Sequence, residues 1–232
     1  MTKVKLVLCA AMLMMSTDNA LSGMMVVPIP RTVPNMTCPA GEYVYGFSAG
    51  EALCTNWQPR VVFVTSSTVT GAIGGLAAAD VICQNEASAA NLKGTYIAFL
   101  SDSVSPGSTI SQINKNPPTL KYVRPDGTTV ANSTAEFLSA SHLAPINLTA
   151  GGSAVTGDTR VWTGYINNNG AITSQQSPST NCTNWTDATP YTAGGANGVA
   201  TKTDAGWFND YGTYCTEYHH LYCVQVQTGT VR

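Results

Sequence analysis

The chain has 232 residues and 24.3 kDa, a formal net charge of -2, 44% hydrophobic residues and only 10% charged ones. That much apolar content with so little charge excludes an intrinsically disordered chain, and 11 Lys+Arg against 13 Asp+Glu excludes a broad basic surface for nucleic acid. A surface this poor in charge has to be built from Ser, Thr, Asn, Gln and Gly, which suits an extracellular protein better than a cytosolic enzyme.

Residues 1–22 read as a signal peptide. Lys3 and Lys5 form a positive start, Leu6 to Met15 is an apolar run too short to span a bilayer, and Ala20-Leu21-Ser22 is a small-x-small cleavage pattern. No later stretch is long enough to cross a membrane, so the cleaved protein is expected to be secreted or held at the cell surface, with no membrane span. Residues 23–59 are expected to form a proline-rich linker, 24–34, followed by a small unit. In that unit Cys38 and Cys54 bracket the alternating Tyr43-Val44-Tyr45 and the Gly-rich middle of a hairpin, and are expected to pair locally. Residues 60–228 carry the main domain. Arg60 to Thr65 predicts a buried strand, and Leu76 to Leu92 a helix whose apolar face is Leu76, Ala79, Cys83, Ala87 and Ala90. Tyr96 to Leu100 predicts a second buried strand, Pro125-Asp126-Gly127 a turn, Thr134 to Ser139 a short helix, and Val161 to Tyr165 a strand ended by Asn167 to Gly170. Residues 171–214 read as a long irregular region. Leu221 to Val226, apolar on both faces, predicts a central strand. The first strand, near Arg60, is expected to pair with the last, near Val224.

An exported chain with six mature cysteines implies a disulfide framework. Position alone leaves the pairing of Cys83, Cys182, Cys215 and Cys223 open. A zinc cage is the competing reading, but the chain has no C-x-x-C pair and only three histidines.

Several blocks, in order, resemble a family. Asp80-Val81-Ile82-Cys83-Gln84, Gly94 to Ser101, Val161-Trp162-Thr163-Gly164, Cys182-Thr183-Asn184-Trp185, and Cys215 through His219-His220 to Cys223 are similar to endostatin, the C-terminal fragment of a collagen. They resemble still more closely a family of secreted bacterial proteins of unknown function with a C-type-lectin-like, endostatin-like fold. The resemblance covers roughly residues 60–226. It implies an α+β domain with a mixed twisted sheet, one main helix, long loops, and nested disulfides Cys83–Cys223 and Cys182–Cys215. Residues 24–59 lie outside it, and resemble only loosely the short Cys-Pro-x-Gly modules of bacterial surface fibres.

The functional sites of these relatives do not carry over. Endostatin's N-terminal zinc histidines have no counterpart in residues 60–65, its arginine patch is reduced to Arg60, Arg124, Arg160 and Arg232, and the Pro-containing calcium loop of C-type lectins is missing. Trp207-Phe208-Asn209-Asp210 only superficially resembles the lectin Trp-Asn-Asp strand, because the inserted Phe208 reverses the facing of Asn209 and Asp210 relative to Trp207. No metal or cofactor is therefore expected. His219 and His220 are adjacent and should face opposite ways, one buried and one exposed. Trp162, Trp185 and Trp207 are expected to be core, with a ligand groove as the alternative. Without a Gly-x-Ser-x-Gly elbow, a reduced cysteine or paired carboxylates, no catalytic residue is expected and the chain reads as a non-enzyme. The expected function is recognition or adhesion: an extracellular protein or glycan bound by the polar, tyrosine-bearing loops between Gly164 and Cys215, with Tyr191, Asn197, Trp207, Asn209, Asp210 and Tyr211 as ligand-binding candidates. The alternative is a structural tip or cap subunit of a surface fibre, attached through residues 24–59 and trimeric or filament-bound.

Overall fold

The computed structural model describes residues 43–48, 51–55, 58–174, 177, 180–189 and 194–227, the first two of these ranges as backbone only. The chain divides into two units, residues 1–55 and 56–232. In the first, β1 (Tyr43–Ser48) and β2 (Glu51–Thr55) pair antiparallel, with an irregularity between Val44 and Gly46. The expected hairpin is present. The expected Cys38–Cys54 bond lies outside the described residues.

The second unit is α+β, built on an eight-stranded mixed sheet. Its centre is β12 (His220–Val226), as the two-sided apolar pattern predicts. β12 runs antiparallel to β3 (Arg60–Val64), with Val224 opposite Val62. Along its other edge it pairs first with β7 (Arg160–Trp162), in parallel, and then with β4 (Thr95–Ala98), antiparallel. β3 continues to β5 (Tyr122–Val123) and β6 (Thr129–Ala131), which join through the turn at Pro125-Asp126-Gly127. Beyond β7 lie β10 (Gly194–Val199) and then β11 (Tyr211–Tyr214) at the edge.

The alternation of strand side chains separates two cores. Val62, Val64, Ile97, Phe99, Tyr222 and Val224 face one side, with Phe137, Tyr165 and Trp207. Phe63, Tyr96, Ala98, Leu221 and Cys223 face the other, with Trp162, Trp185 and the helix α1 (Leu76–Ala89). α1 buries Leu76, Ala79, Cys83 and Ala87, and Cys83 is bonded to Cys223 on β12. It stops short of the expected Leu92. Asn91 takes a left-handed φ of 59°, and the N–H groups of Asn91 and Leu92 return to the Ser88 and Ala87 carbonyls, closing the helix. Two polar side chains of α1 extend the sheet's hydrogen bonding. Asp80 accepts from the Ala98 N–H at 2.8 Å and Gln84 from the Tyr96 N–H at 3.0 Å, so the edge of β4 that faces the helix is satisfied.

Two short helices complete the unit, α2 (Ser108–Ile113) and α3 (Thr134–Phe137), the latter capped by the Ser133 side chain accepting from the Glu136 N–H. The strand expected over Val161–Tyr165 is instead broken. It ends at Trp162, and Tyr165 opens β8 (Tyr165–Asn168), which forms a separate hairpin with β9 (Ala171–Ser174) across Asn169 and Gly170, both at positive φ. Gly164 makes the break. Its φ is 67°, and a Cβ there would collide with the Ser101 carbonyl oxygen. The region 171–214 is not irregular either. It holds β9, β10, β11 and a 3-10 turn at Ala205–Trp207. β10 reads Gly-Gly-Ala-Asn-Gly-Val, a sequence without β propensity, because its backbone has to lie close against aromatic neighbours. A Cβ at Gly195 would come within 2.6 Å of the Trp162 ring, and one at Gly198 would strike the Trp207 backbone.

One buried group gives the fold a pH dependence. His142 stacks against Phe137 and lies 4.3 Å from the Trp207 ring, with its Nε2 bonded to the Phe137 carbonyl. Burial pushes its pKa down to about 4, against the opposing pull of that hydrogen bond and of Glu136. In the unfolded chain the ring titrates near ~6.5. Between these values the unfolded state holds the extra proton, so stability falls as pH is lowered through that window, by on the order of 3 kcal/mol. Urea midpoints at neutral pH and just above the folded pKa should differ accordingly. His142→Gln, which keeps a donor for the Phe137 carbonyl but does not titrate, should lose most of the difference; an unchanged slope would assign it to other groups.

Candidate binding face

β7, β10 and β11 place a polar array at one end of the sheet. Asn197 on β10 lies opposite Trp162 on β7 and opposite Tyr211 on β11, so the three share a sheet face. Thr213, two residues along β11, shares it too. The Asn197 Nδ2 donates to the Thr213 Oγ1 at 3.0 Å, and Thr213 Oγ1 lies 2.8 Å from His219 Nε2. The His219 ring rests on Trp162, with ring centroids 4.3 Å apart, and its Nδ1 is 3.5 Å from the Asp158 carboxylate. Burial lowers the His219 pKa, while Asp158 and Glu217 pull it back up. A carboxylate stands toward each ring nitrogen, Asp158 toward Nδ1 and Glu217, at 3.8 Å, toward Nε2, which also meets the Thr213 hydroxyl.

The order hydroxyl, imidazole, carboxylate is also that of a nucleophilic relay. Here the last link is longer than a hydrogen bond and the hydroxyl is already engaged by the Asn197 amide. The array fixes β11 on β10. Above it, Arg160 lies 3.6 Å from Glu217 and 3.9 Å from Asp158, three half-exposed side chains forming a rim. Such pairs contribute little individually. Among the described residues, no three His, Cys, Asp or Glu side chains are grouped to hold a metal ion.

Below the face, Cys182–Cys215 ties the base of β11 to a turn over Cys182–Trp185 in which four successive residues have φ between 51° and 62°, a left-handed winding rare for residues with a Cβ. Tertiary bonds hold it. The Trp185 indole donates to the Ser101 carbonyl at 2.7 Å, the Trp185 carbonyl accepts from Gly74 and Gly75, and the Asn184 side chain accepts from the Ser103 N–H. The implied pairs Cys83–Cys223 and Cys182–Cys215 are thus both formed.

The candidate residues separate sharply. Asn197 and Trp207 are buried, and Trp207 belongs to the core, its indole N–H donating to the Ser139 carbonyl. The Asn209 side chain accepts from the Asn167 N–H and so ties β8 to the loop before β11, while Asp210 pairs with Lys202 and donates its own N–H to the Asn197 carbonyl. Tyr211 alone of the described candidates is strongly exposed, at 65%. Tyr191 lies outside the described residues. The expectation for the histidines is corrected: both are buried. His219 lies on Trp162, and His220 sits between the carbonyls of Thr65 and Asp158, because the segment leading into β12 is covered on both sides.

Thr213, Asp158, Glu217 and Tyr218 were not among the candidates. The sequence signal that could have found Tyr218 is its spacing: with Tyr211 and Tyr214 it makes three tyrosines in eight residues. These three are half of the six large apolar or aromatic side chains most exposed among the described residues, the others being Val81, Val104 and Leu143.

A family model described as "Protein of unknown function (DUF1554)" matches residues 66–203, more than half of the chain. The matched segment contains α1, β4, β7 and β10 and stops before β11, so the exposed tyrosines, His219 and β12 lie beyond it. No curated protein matches the chain.

Proposed function

We propose, for a chain that belongs to the DUF1554 family of proteins of unknown function, that it is an exported, non-enzymatic recognition module with a C-type-lectin-like, endostatin-like domain, binding an extracellular protein or glycan through the β10–β11 face. The observation that carries this reading is the exposure of three tyrosines on an edge strand and the turn after it. Tyr211 lies on the face of Trp162 and Asn197, Tyr214 on the opposite face, and Tyr218 in the turn, while His219 and the Cys182–Cys215 bond hold the segment in place. Tyrosine supplies large contact area at low entropy cost and stacks on sugar rings or apolar side chains, and a locked base keeps it pre-organised. Two disulfides, and the absence among the described residues of any helix long and apolar enough to cross a membrane, are compatible with an exported location.

The test is a panel of immobilised glycans and extracellular proteins probed with wild type, Tyr211→Ala, Tyr218→Ala and, as a control, Val104→Ala. Binding that falls at least about tenfold in either tyrosine variant, with unchanged melting temperature and an unaffected control, is the expected result. Tyrosine variants that bind as wild type would show that this face is not the binding surface.

A further inference from the structure

A second concave feature lies on a different part of the domain. The C-terminal end of α1, the loop after β3 and the loop at residues 149–151 enclose an open cleft of about 310 Å³, lined by Ser66, Glu86, Ala89, Ala90, Thr149 and Gly151. Its chemistry is one-sided. Ala89 and Ala90 give it an apolar wall, and Glu86 places a carboxylate on it. The last turn of α1, where the helix dipole is negative, carries no basic residue. The hydroxyl-bearing side chains of Ser66 and Thr149 complete the lining, and none of the lining residues is cationic.

We propose that this cleft is a binding site for a lysine side chain presented by a partner protein. The aliphatic stem would lie over Ala89 and Ala90, and the ammonium would sit between Glu86 and the carbonyl end of α1. Charge complementarity selects a cation, and the state of Glu86 selects ammonium over guanidinium. One Glu86 oxygen accepts from the Ser66 N–H at 2.7 Å, and the other from the Ser67 N–H at 3.1 Å and the Ser67 hydroxyl at 2.7 Å. A carboxylate offers about four acceptor positions, so a planar guanidinium, which needs two side by side, meets occupied oxygens. An ammonium is a compact charge with rotatable donors that can use one remaining position and turn the others to hydroxyls or water. The apolar wall of Ala89 and Ala90 can carry an unbranched methylene stem.

The position of Gly151 gives a clean test. A Cβ there would meet nothing within 4 Å, and its φ is outside the left-handed region, so a large side chain is accommodated at the cleft's lining without straining the backbone. Isotope-labelled full-length protein is titrated with Nα-acetyl-lysine methylamide and followed by amide chemical shifts. The expected result is saturable shifts at Ser66, Ala90 and Gly151 that the norleucine analogue, with the same stem and no charge, does not produce. Glu86→Gln, which removes the charge and keeps one acceptor oxygen for the Ser67 donors at the loss of the one for Ser66, weakens the interaction about fivefold with the melting temperature checked alongside. Gly151→Phe abolishes it, and Tyr211→Ala leaves it unchanged, which separates this site from the β10–β11 face. Should Gly151→Phe melt early, Ala89→Tyr on the exposed last turn of α1 gives the same reading. Absence of shifts with the lysine probe, equal shifts with norleucine, or undiminished binding in the filled-cleft variants overturns the proposal.

Discussion

Replacing Cys83 and Cys223 together by alanine should lower the unfolding free energy by about 5 kcal/mol, the larger of the losses expected for the two disulfides. The bond joins residues separated by 140 positions, and in the chain-entropy account the cost of releasing such a loop into the unfolded ensemble approaches ~5 kcal/mol, against ~4 kcal/mol for the 33-residue separation of Cys182 and Cys215. The two sulfurs are fully buried between α1 and β12, so alanine leaves a small cavity and no unsatisfied polar group. Urea midpoints of the double variant and of wild type, both oxidised, measure the difference. A domain that loses less than ~1 kcal/mol would show that its packing holds α1 on the sheet unaided.

Trp207→Ala should cost about 3–5 kcal/mol, the range for emptying a buried indole. The ring is 1% exposed and sits among Phe99, Phe137, His142 and Tyr222, at centroid distances from 4.3 to 6.0 Å. Its loss would open a cavity in the larger of the two cores and orphan the Ser139 carbonyl. Tyr211→Ala, on the exposed edge, should move stability by no more than ~0.5 kcal/mol. Thermal and urea unfolding of the two variants side by side distinguish a structural tryptophan from a ligand-contacting one. A Trp207→Ala protein as stable as wild type would make the indole a binding group again.

The contrast between these two residues shows what the sequence could reveal. β3, α1 and β12 were legible because burial imposes a period on them: Val62-Phe63-Val64 and Tyr222-Cys223-Val224 alternate between two cores, and Leu76, Ala79, Cys83 and Ala87 recur on one helical face. The disulfide pairs came from the resemblance, not from the spacing of the cysteines. β10 was illegible because its glycines are there to let Trp162 and Trp207 approach the backbone, a requirement set by partners distant in sequence. For the same reason Asn197 read as a loop residue and proved to be buried, its amide holding Thr213. The break after Trp162 depends on the Ser101 carbonyl lying against Gly164, which local sequence does not report. Of the candidate site, exposed tyrosine was legible as composition. The buried His219 beneath it was not, because its environment comes from β7, β11 and the segment around Asp158 together.

The place of β12 in the chain has a consequence for when the domain can exist. β12 lies between β3 on one side and β7 and β4 on the other, yet it is made after all of them. Until residues 220–226 have left the ribosome, β3 and β4 lack their shared neighbour, β7 lacks one of its two, and Cys83 has no Cys223 to meet. The nascent chain therefore carries an incomplete sheet for most of its synthesis. A polypeptide assembled in this order completes its core, and can close the Cys83–Cys223 bond, only after synthesis has passed β12.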